Sequence, residues 1–211
     1  KQAKKYLNFL IKFKIYCYNI IMKDITVIIP ARGGSKRLSR KNIYPVLDKP
    51  MIYWSIKAAK ESKYITDVVV STEDQEIENI AKFYNAKIHK RDKELSKDHV
   101  FKMEAIRNAI TYLEKTKKSD IYISLQANSP EITPEILDKA IEVFIENNRN
   151  ELISTSHNCM QNAAFRILKK DYAMQKDLST KCGFFKCDIL DIHTIEDVKT
   201  VEKRMLNENY S

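Results

Sequence analysis

The sequence predicts an α/β fold, a Rossmann-like three-layer αβα arrangement with helices on both faces of a largely parallel sheet. Three observations carry that expectation. Short aliphatic runs read as buried strands at Ile25–Ile29, Asp67–Thr72, Ile121–Gln126 and Glu151–Ser156. Stretches whose apolar residues recur at helical spacing separate those runs. Polar loops follow the strands, and ligands of open α/β sheets bind at the carboxyl ends of parallel strands.

The first strand is stopped by Pro30 and runs into Ala31-Arg32-Gly33-Gly34-Ser35-Lys36-Arg37, with Arg40, Lys41 and Asn42 soon after. The 211-residue chain has three glycines, and two are adjacent here. Without a Cβ, Gly33 and Gly34 are expected to let the backbone take positive φ and bring amides close to a ligand. Arg32, Lys36, Arg37, Arg40 and Lys41 fall in one short stretch, and no acid lies between Asp24 and Asp48. An apolar strand feeding a glycine-hinged basic loop suits a polyanion such as a nucleoside triphosphate. The amides and Ser35 Oγ would donate to phosphate oxygens, and the cations would offset their charge.

The loop ARGGSKRLSRKN closely resembles the signature of the CMP-sugar synthetases, cytidylyltransferases that activate sialic acids and related 2-keto sugar acids with CTP. It is neither a Walker A loop nor the dinucleotide GxGxxG. Beyond it, Asn42–Pro50 reads as a turn region and Met51 opens a helix through about Ser62. Met51, Ile52, Ser55, Ile56 and Ala59 share one face of that helix, and Trp54 packs at its rim. VVVSTEDQ resembles the ending of the family's second strand and leads into a helix over 74–84, followed by a strand over 86–89. Arg91 to Asp98, RDKELSKD, resembles the family's RPxELxxD segment, whose leading arginine meets the nucleotide. Asp98 reads as the cap of a helix over 99–115.

IYISLQANSP resembles the family's LQPTSPLR segment, with Gln126, Ser129 and Pro130 matching. Thr133 reads as the cap of the next helix, with Pro134 at its first position and a stripe of Ile136, Ala140, Val143 and Phe144. From His157 to Gly183 the pattern is weak. The chain is short there against the family, whose sugar contacts and dimer arm lie in that excursion, and Arg166 reads as a surface cation. Cys187–His193 reads as the last strand, followed by a helix to about Met205. CDILDIHTIED resembles the family's DIDTxED motif, whose aspartates hold magnesium. Asp191 falls on the first aspartate, while His193 occupies the second. Thr194 and Asp197 make a cap pattern.

The resemblance covers roughly residues 22–205 and implies the nucleotide-diphospho-sugar transferase fold. It implies CMP transfer from CTP to the anomeric hydroxyl of a sialic acid-like or Kdo-like 2-keto sugar acid, with release of pyrophosphate. Such activity serves cell-surface polysaccharide synthesis from the cytoplasm. Arg32 and Lys41 fall on phosphate-contacting positions and, with Asp191, are the expected catalytic residues. Ala31, Gly33, Gly34, Ser35, Lys36, Asn42, Arg91, Gln126 and Ser129 are the expected nucleotide contacts. Asp191 is the expected ligand of Mg2+, with Mn2+ as an alternative, and a homodimer is one assembly open to the chain. A sugar-1-phosphate nucleotidyltransferase and a nucleotide-binding homologue that has lost catalysis are the rival readings.

Bulk properties agree with one cytidylyltransferase-like domain over residues 22–211. The chain is 44% hydrophobic and 31% charged, as a globular protein is. Its formal charge of +9 would suggest nucleic acid, but residues 1–21 carry five lysines and no acid, leaving +4 for the rest. A small anionic substrate accounts for that remainder better. The leader is too interrupted by Lys12 and Lys14 to span a membrane and is expected to lie outside the fold. The four cysteines include no CxxC pair, so reduced thiols are expected rather than a zinc site or disulfides.

Overall fold

A computed structural model describes residues 23–208. The reading of residues 1–21 lies outside the described residues. Seven strands form one sheet: β1 (Ile25–Pro30), β4 (Asp67–Thr72), β5 (Lys87–Lys90), β6 (Ile121–Leu125), β7 (Glu151–Thr155), β8 (Gln161–Lys169) and β9 (Cys182–Lys186), in spatial order β5-β4-β1-β6-β8-β7-β9. β1 pairs in parallel with β4 and β6, β4 with β5, and β7 with β9, while β8 pairs antiparallel with both β6 and β7. The expected α/β architecture with a largely parallel sheet is what the chain adopts.

The strand–helix alternation explains why β1 is apolar throughout. Its Val27 and Ile29 pack with α1 (Met51–Glu61), α2 (Gln75–Phe83) and α4 (Pro134–Glu146) on one face. Ile28 packs on the other face against Ile106, Ala109 and Ile110 of α3 (Lys102–Leu113). Strands covered on both faces carry continuous hydrophobic runs. The last helix, α5 (Ile195–Glu208), closes a third cluster in which Val198 and Val201 meet Leu38, Val46 and Met51. Leu38 thereby anchors the far end of the basic loop in the core. Thr133 caps α4 by accepting from Ile136 N, with Pro134 at the first position, as expected.

Four sequence readings are corrected. The turn region holds a small hairpin, β2 (Pro45–Val46) with β3 (Lys49–Pro50), whose tip residues Leu47 and Asp48 take positive φ. α3 starts at Lys102, with Phe101 at its N-cap and no side-chain cap, because Asp98 is drawn to Arg32 and Lys36 instead. The weak stretch after His157 contains β8. Its Ala164, Phe165, Ile167 and Leu168 are all buried, so no polar alternation marks it, and a register shift opposite β7 with positive φ at Ala163 breaks the pattern further. The last strand is Cys182–Lys186 rather than 187–193. Cys187 N donates to Thr155 O as a last rung, after which the chain crosses the strand ends and Ile192 N reaches Asn128 O.

Candidate functional site

The carboxyl ends of β1 and β6 open onto one cavity of about 250 Å³. Its wall includes Arg32, Gly34, Ser35, Lys41 and Asn42 from the basic loop, Arg91 from the segment after β5, and Gln126 and Asn128 after β6. Residues distant in sequence therefore converge where the topology of an open sheet places ligands.

The loop is held by a few long-range bonds. Asn42 Nδ2 donates to Arg32 O at 2.9 Å, which closes the loop on itself. Arg40 takes φ 53° just before the 3-10 turn Lys41–Ile43 and forks onto Asp74 at 2.5 and 3.0 Å, with Glu76 as a further partner. That turn sets Lys41 against the cavity. Burial pushes the Lys41 ammonium below its usual range, the nearby Arg37 and Arg32 push it the same way, and Asp191 opposes them. Lys41 Nζ lies 3.5 Å from His193 Nδ1. Burial and Lys41 together hold the His193 imidazole below its usual value, so it is neutral at pH 7.

Neither glycine takes positive φ, contrary to expectation. Gly33 is required for a different reason: a Cβ there would stand 2.3 Å from Asp74 Oδ2. Its amide is already used, donating to Glu73 Oε1 at 2.8 Å. Gly34 faces open space. A Gly33→Ala variant should displace a carboxylate that caps α2 and pairs with Arg40. The cap is worth about 0.5–2 kcal/mol. The expected outcome in a thermal melt is a Tm lower by ~1–8 °C, with weaker CTP binding as the loop shifts.

Glu73 is the hub that the sequence reading passed over. It accepts from Gly33 N, Arg91 Nη2 at 2.9 Å and Ser96 Oγ at 2.7 Å. Burial pushes its carboxyl up, but those bonds prevail and hold it below the usual range. Asp98, read from the sequence as a helix cap, instead pairs with Arg32 at 2.7 Å and Lys36 at 2.5 Å. Lys102 is the second omission, lining the cavity from the first turn of α3. The signal for Glu73 was its place directly after a strand end. Nothing local marked Lys102.

Four expected contacts stand off the cavity wall. Ala31 is fully buried with its amide on Ser71 O, and Gly33 is committed to Glu73. Lys36 is an exposed cation directed at Asp98. Ser129 is buried and donates to Asp191 Oδ1 at 2.5 Å, so the pair braces the segment behind the wall. Arg91, expected to meet the ligand directly, does line the cavity, yet its guanidinium is buried against Glu73. Arg166, read as a surface cation, points inward and pairs with buried Glu151.

Burial pushes the Asp191 carboxyl above its usual range, opposed by the Ser129 bond and by Lys102 and His193. Asp197 Oδ2 accepts from His193 N and Thr194 N at 2.8 Å each, and Asp197 N donates to Thr194 Oγ1, the cap pattern expected for α5. Among the described residues no group of three or more His, Cys, Asp and Glu side chains is arranged for a metal. Magnesium, however, is commonly held by one or two carboxylates together with substrate phosphates. That donor set fits a single carboxylate such as Asp191 joined by the oxygens of a phosphorylated substrate. A histidine nitrogen at position 193 is a poor ligand for magnesium, which takes hard oxygen donors. Cys159, Cys182 and Cys187 are free thiols. No helix among the described residues is long and apolar enough to cross a membrane.

Comparison with known proteins adds sequence and fold likeness. A family described as cytidylyltransferase matches residues 26–200. Over 137 residues, 64% of this chain, the sequence is 41% identical to pseudaminic acid cytidylyltransferase of Campylobacter jejuni, and the match spans 59% of that relative's length. It is 34% identical over 132 residues, 63% of this chain, to N-acylneuraminate cytidylyltransferase A of Danio rerio, over 30% of that protein. Among solved structures, a CMP:2-keto-3-deoxy-manno-octonic acid synthetase complexed with CTP superposes with a TM-score of 0.72, covering 88% of this chain and 99% of that one. At 16% identity that likeness speaks to the fold alone.

Proposed function

The chain belongs to the cytidylyltransferase family, and from that premise we propose that it transfers CMP from CTP to a 2-keto sugar acid. The observation that carries this reading is the convergence of Arg32, Lys41 and the glycine-marked loop on one cavity at the strand ends. The chain spans 59% of the length of its Campylobacter relative, so activity and substrate are properties to be tested on this chain itself.

In this reading the triphosphate lies along the loop and replaces Asp98 as the partner of Arg32. Arg32 and Lys41 hold it in line and offset the charge that grows on the α,β-bridging oxygen. The anomeric hydroxyl of the sugar acid attacks the α-phosphorus, the bond to the bridging oxygen breaks, and pyrophosphate leaves with the electron pair. Gln126 is placed to hydrogen-bond base or ribose, and Arg91, fixed by Glu73, presents its edge to the nucleotide. Asp191 would hold a divalent ion, with Mg2+ or Mn2+ neutralising triphosphate oxygens as its contribution. Ser129 orients that carboxylate.

One observation favours a second reading, a nucleotide-binding protein without turnover: His193 stands beside Lys41 where a second acidic metal ligand is absent. An assay separates the two. CTP and Mg2+ or Mn2+ are supplied with sialic, pseudaminic, legionaminic and Kdo acids, and both pyrophosphate and CMP-sugar are measured. The expected result is stoichiometric release with at least one acid. CTP binding with no product for any acid establishes the second reading, and product with hexose 1-phosphates alone overturns the acceptor class.

A further inference from the structure

The segment that carries Asp191 is not held by a ladder. β9 ends at Lys186, and residues 188–193 cross the strand ends as neither strand nor helix. Bonds from the short loop between β6 and α4, residues 128–131, fix three successive residues of that segment. Glu131 Oε2 accepts from Leu190 N at 2.7 Å, and Ser129 Oγ donates to Asp191 Oδ1. Asn128 meets Ile192 twice: its carbonyl accepts from Ile192 N at 2.9 Å, and its Nδ2 donates to Ile192 O at 3.0 Å.

Glu131 is the costly member of this clamp. It is 7% exposed, and a carboxylate taken out of water needs a charged partner. Arg204 on α5 supplies one: its Nε pairs with Glu131 Oε1 at 2.6 Å, while its Nη2 donates to Asp188 O at 2.5 Å. One guanidinium thus holds the segment directly at residue 188 and, through Glu131, at residue 190. Two helical turns earlier on α5, Asp197 holds the other end by accepting from His193 N and Thr194 N. Asp191 lies between these two grips. Because desolvation offsets attraction, a buried ion pair adds little net stability. What this pair supplies is a fixed geometry. Asn128 and Glu131 also stand where the LQPTSPLR pattern has threonine and leucine, so the chain builds the clamp from residues of its own.

We propose that Glu131 and Arg204 are positioning residues whose ion pair sets where the Asp191 carboxylate stands, and that α5 is thereby coupled to divalent-ion binding. The assignment rests on the role given to Asp191 in the nucleotidyl-transfer reading above. Neither side chain lines the cavity; both act through the backbone on either side of Leu190.

Mn2+ binding followed by electron paramagnetic resonance tests this without turnover. The whole chain is saturated with CTP, no sugar acid is present, and the same CTP without protein is the control. Glu131→Gln keeps the side chain's shape and an acceptor for Leu190 N, but removes the charge that Arg204 answers. It should weaken Mn2+ binding about tenfold, raise the metal concentration for half-maximal turnover by a similar factor, and leave CTP affinity in chelator unchanged. Arg204→Gln should do the same, and Arg204→Lys should recover part of the loss. On top of Asp191→Asn, Glu131→Gln should add nothing, because its effect passes through that carboxylate. A merely structural pair would instead lower the melting temperature and leave Mn2+ affinity at the wild-type value wherever the variants are folded. That result overturns the proposal, as does a further loss on top of Asp191→Asn, or a wild type that binds no Mn2+ beyond what CTP holds by itself. Weakened Mn2+ binding in the variants, with no product from wild type and any acid, removes the transfer reading and leaves the positioning role standing.

Discussion

If the chain transfers CMP as proposed, Lys41→Ala should lower that activity about a hundredfold and leave the protein folded. Lys41 lines the cavity at the strand ends from a 3-10 turn that Arg40 and Asn42 hold in place. A charge-assisted hydrogen bond to a phosphate contributes about 1.5–3 kcal/mol, and each ~1.4 kcal/mol is tenfold in rate. Because the ammonium is offset against charge that develops in the transition state, the loss falls on kcat more than on the KM for CTP. Burial and the neighbouring Arg32 and Arg37 already disfavour the Lys41 charge. Removing it relieves that crowding, so the melting temperature should hold or rise. Steady-state kinetics with a paired thermal melt provide the check, and wild-type turnover in the variant would refute the placement of the triphosphate.

Asp191→Asn should cost a hundredfold or more in turnover and raise the melting temperature. The carboxyl is pushed up by burial, which means that its ionised form is disfavoured in the fold. A group with a raised folded-state pKa stabilises the protein below that value, and the contribution is lost as pH rises through it. Wild type should therefore gain stability on mild acidification through Asp191, and the variant should lack that part of the slope. An asparagine oxygen can still accept from Ser129, so the local geometry survives. Each kcal/mol recovered corresponds to about 2–4 °C for a chain of this size. Response to Mg2+ and Mn2+ should flatten in the same variant. A variant that stays fully active, or that melts earlier, removes Asp191 from the role given to it.

These predictions rest partly on what was legible in the chain itself. The apolar run Ile25–Ile29 stopped by Pro30, and the basic stretch after it, pointed to the cavity at the strand ends because both are local signals. The Thr133–Pro134 cap and the Thr194–Asp197 cap were readable for the same reason: each is settled within four residues. β8 was not readable, since a strand buried on both faces and broken by a bulge has neither alternation nor a clean run. The expected strand over 187–193 failed because β9 already occupies the free edge of β7, leaving that segment no ladder to join.

Taken alone, the amino-acid order determined the alternation of strands and helices, the helix starts marked by caps, and the place where cations crowd around a glycine pair. Folding decided which of those polar groups have hands free. Gly33 spends its amide on Glu73, Asp98 answers Arg32 and Lys36, and Arg166 turns inward to pair with Glu151. The division has a physical cause: backbone preference and periodicity act between near neighbours, whereas a hydrogen bond or ion pair needs two groups within about 3 Å. For Gly33 and Glu73, or Arg32 and Ser96, the separations along the chain are 40 and 64 residues. Only the folded sheet makes them neighbours.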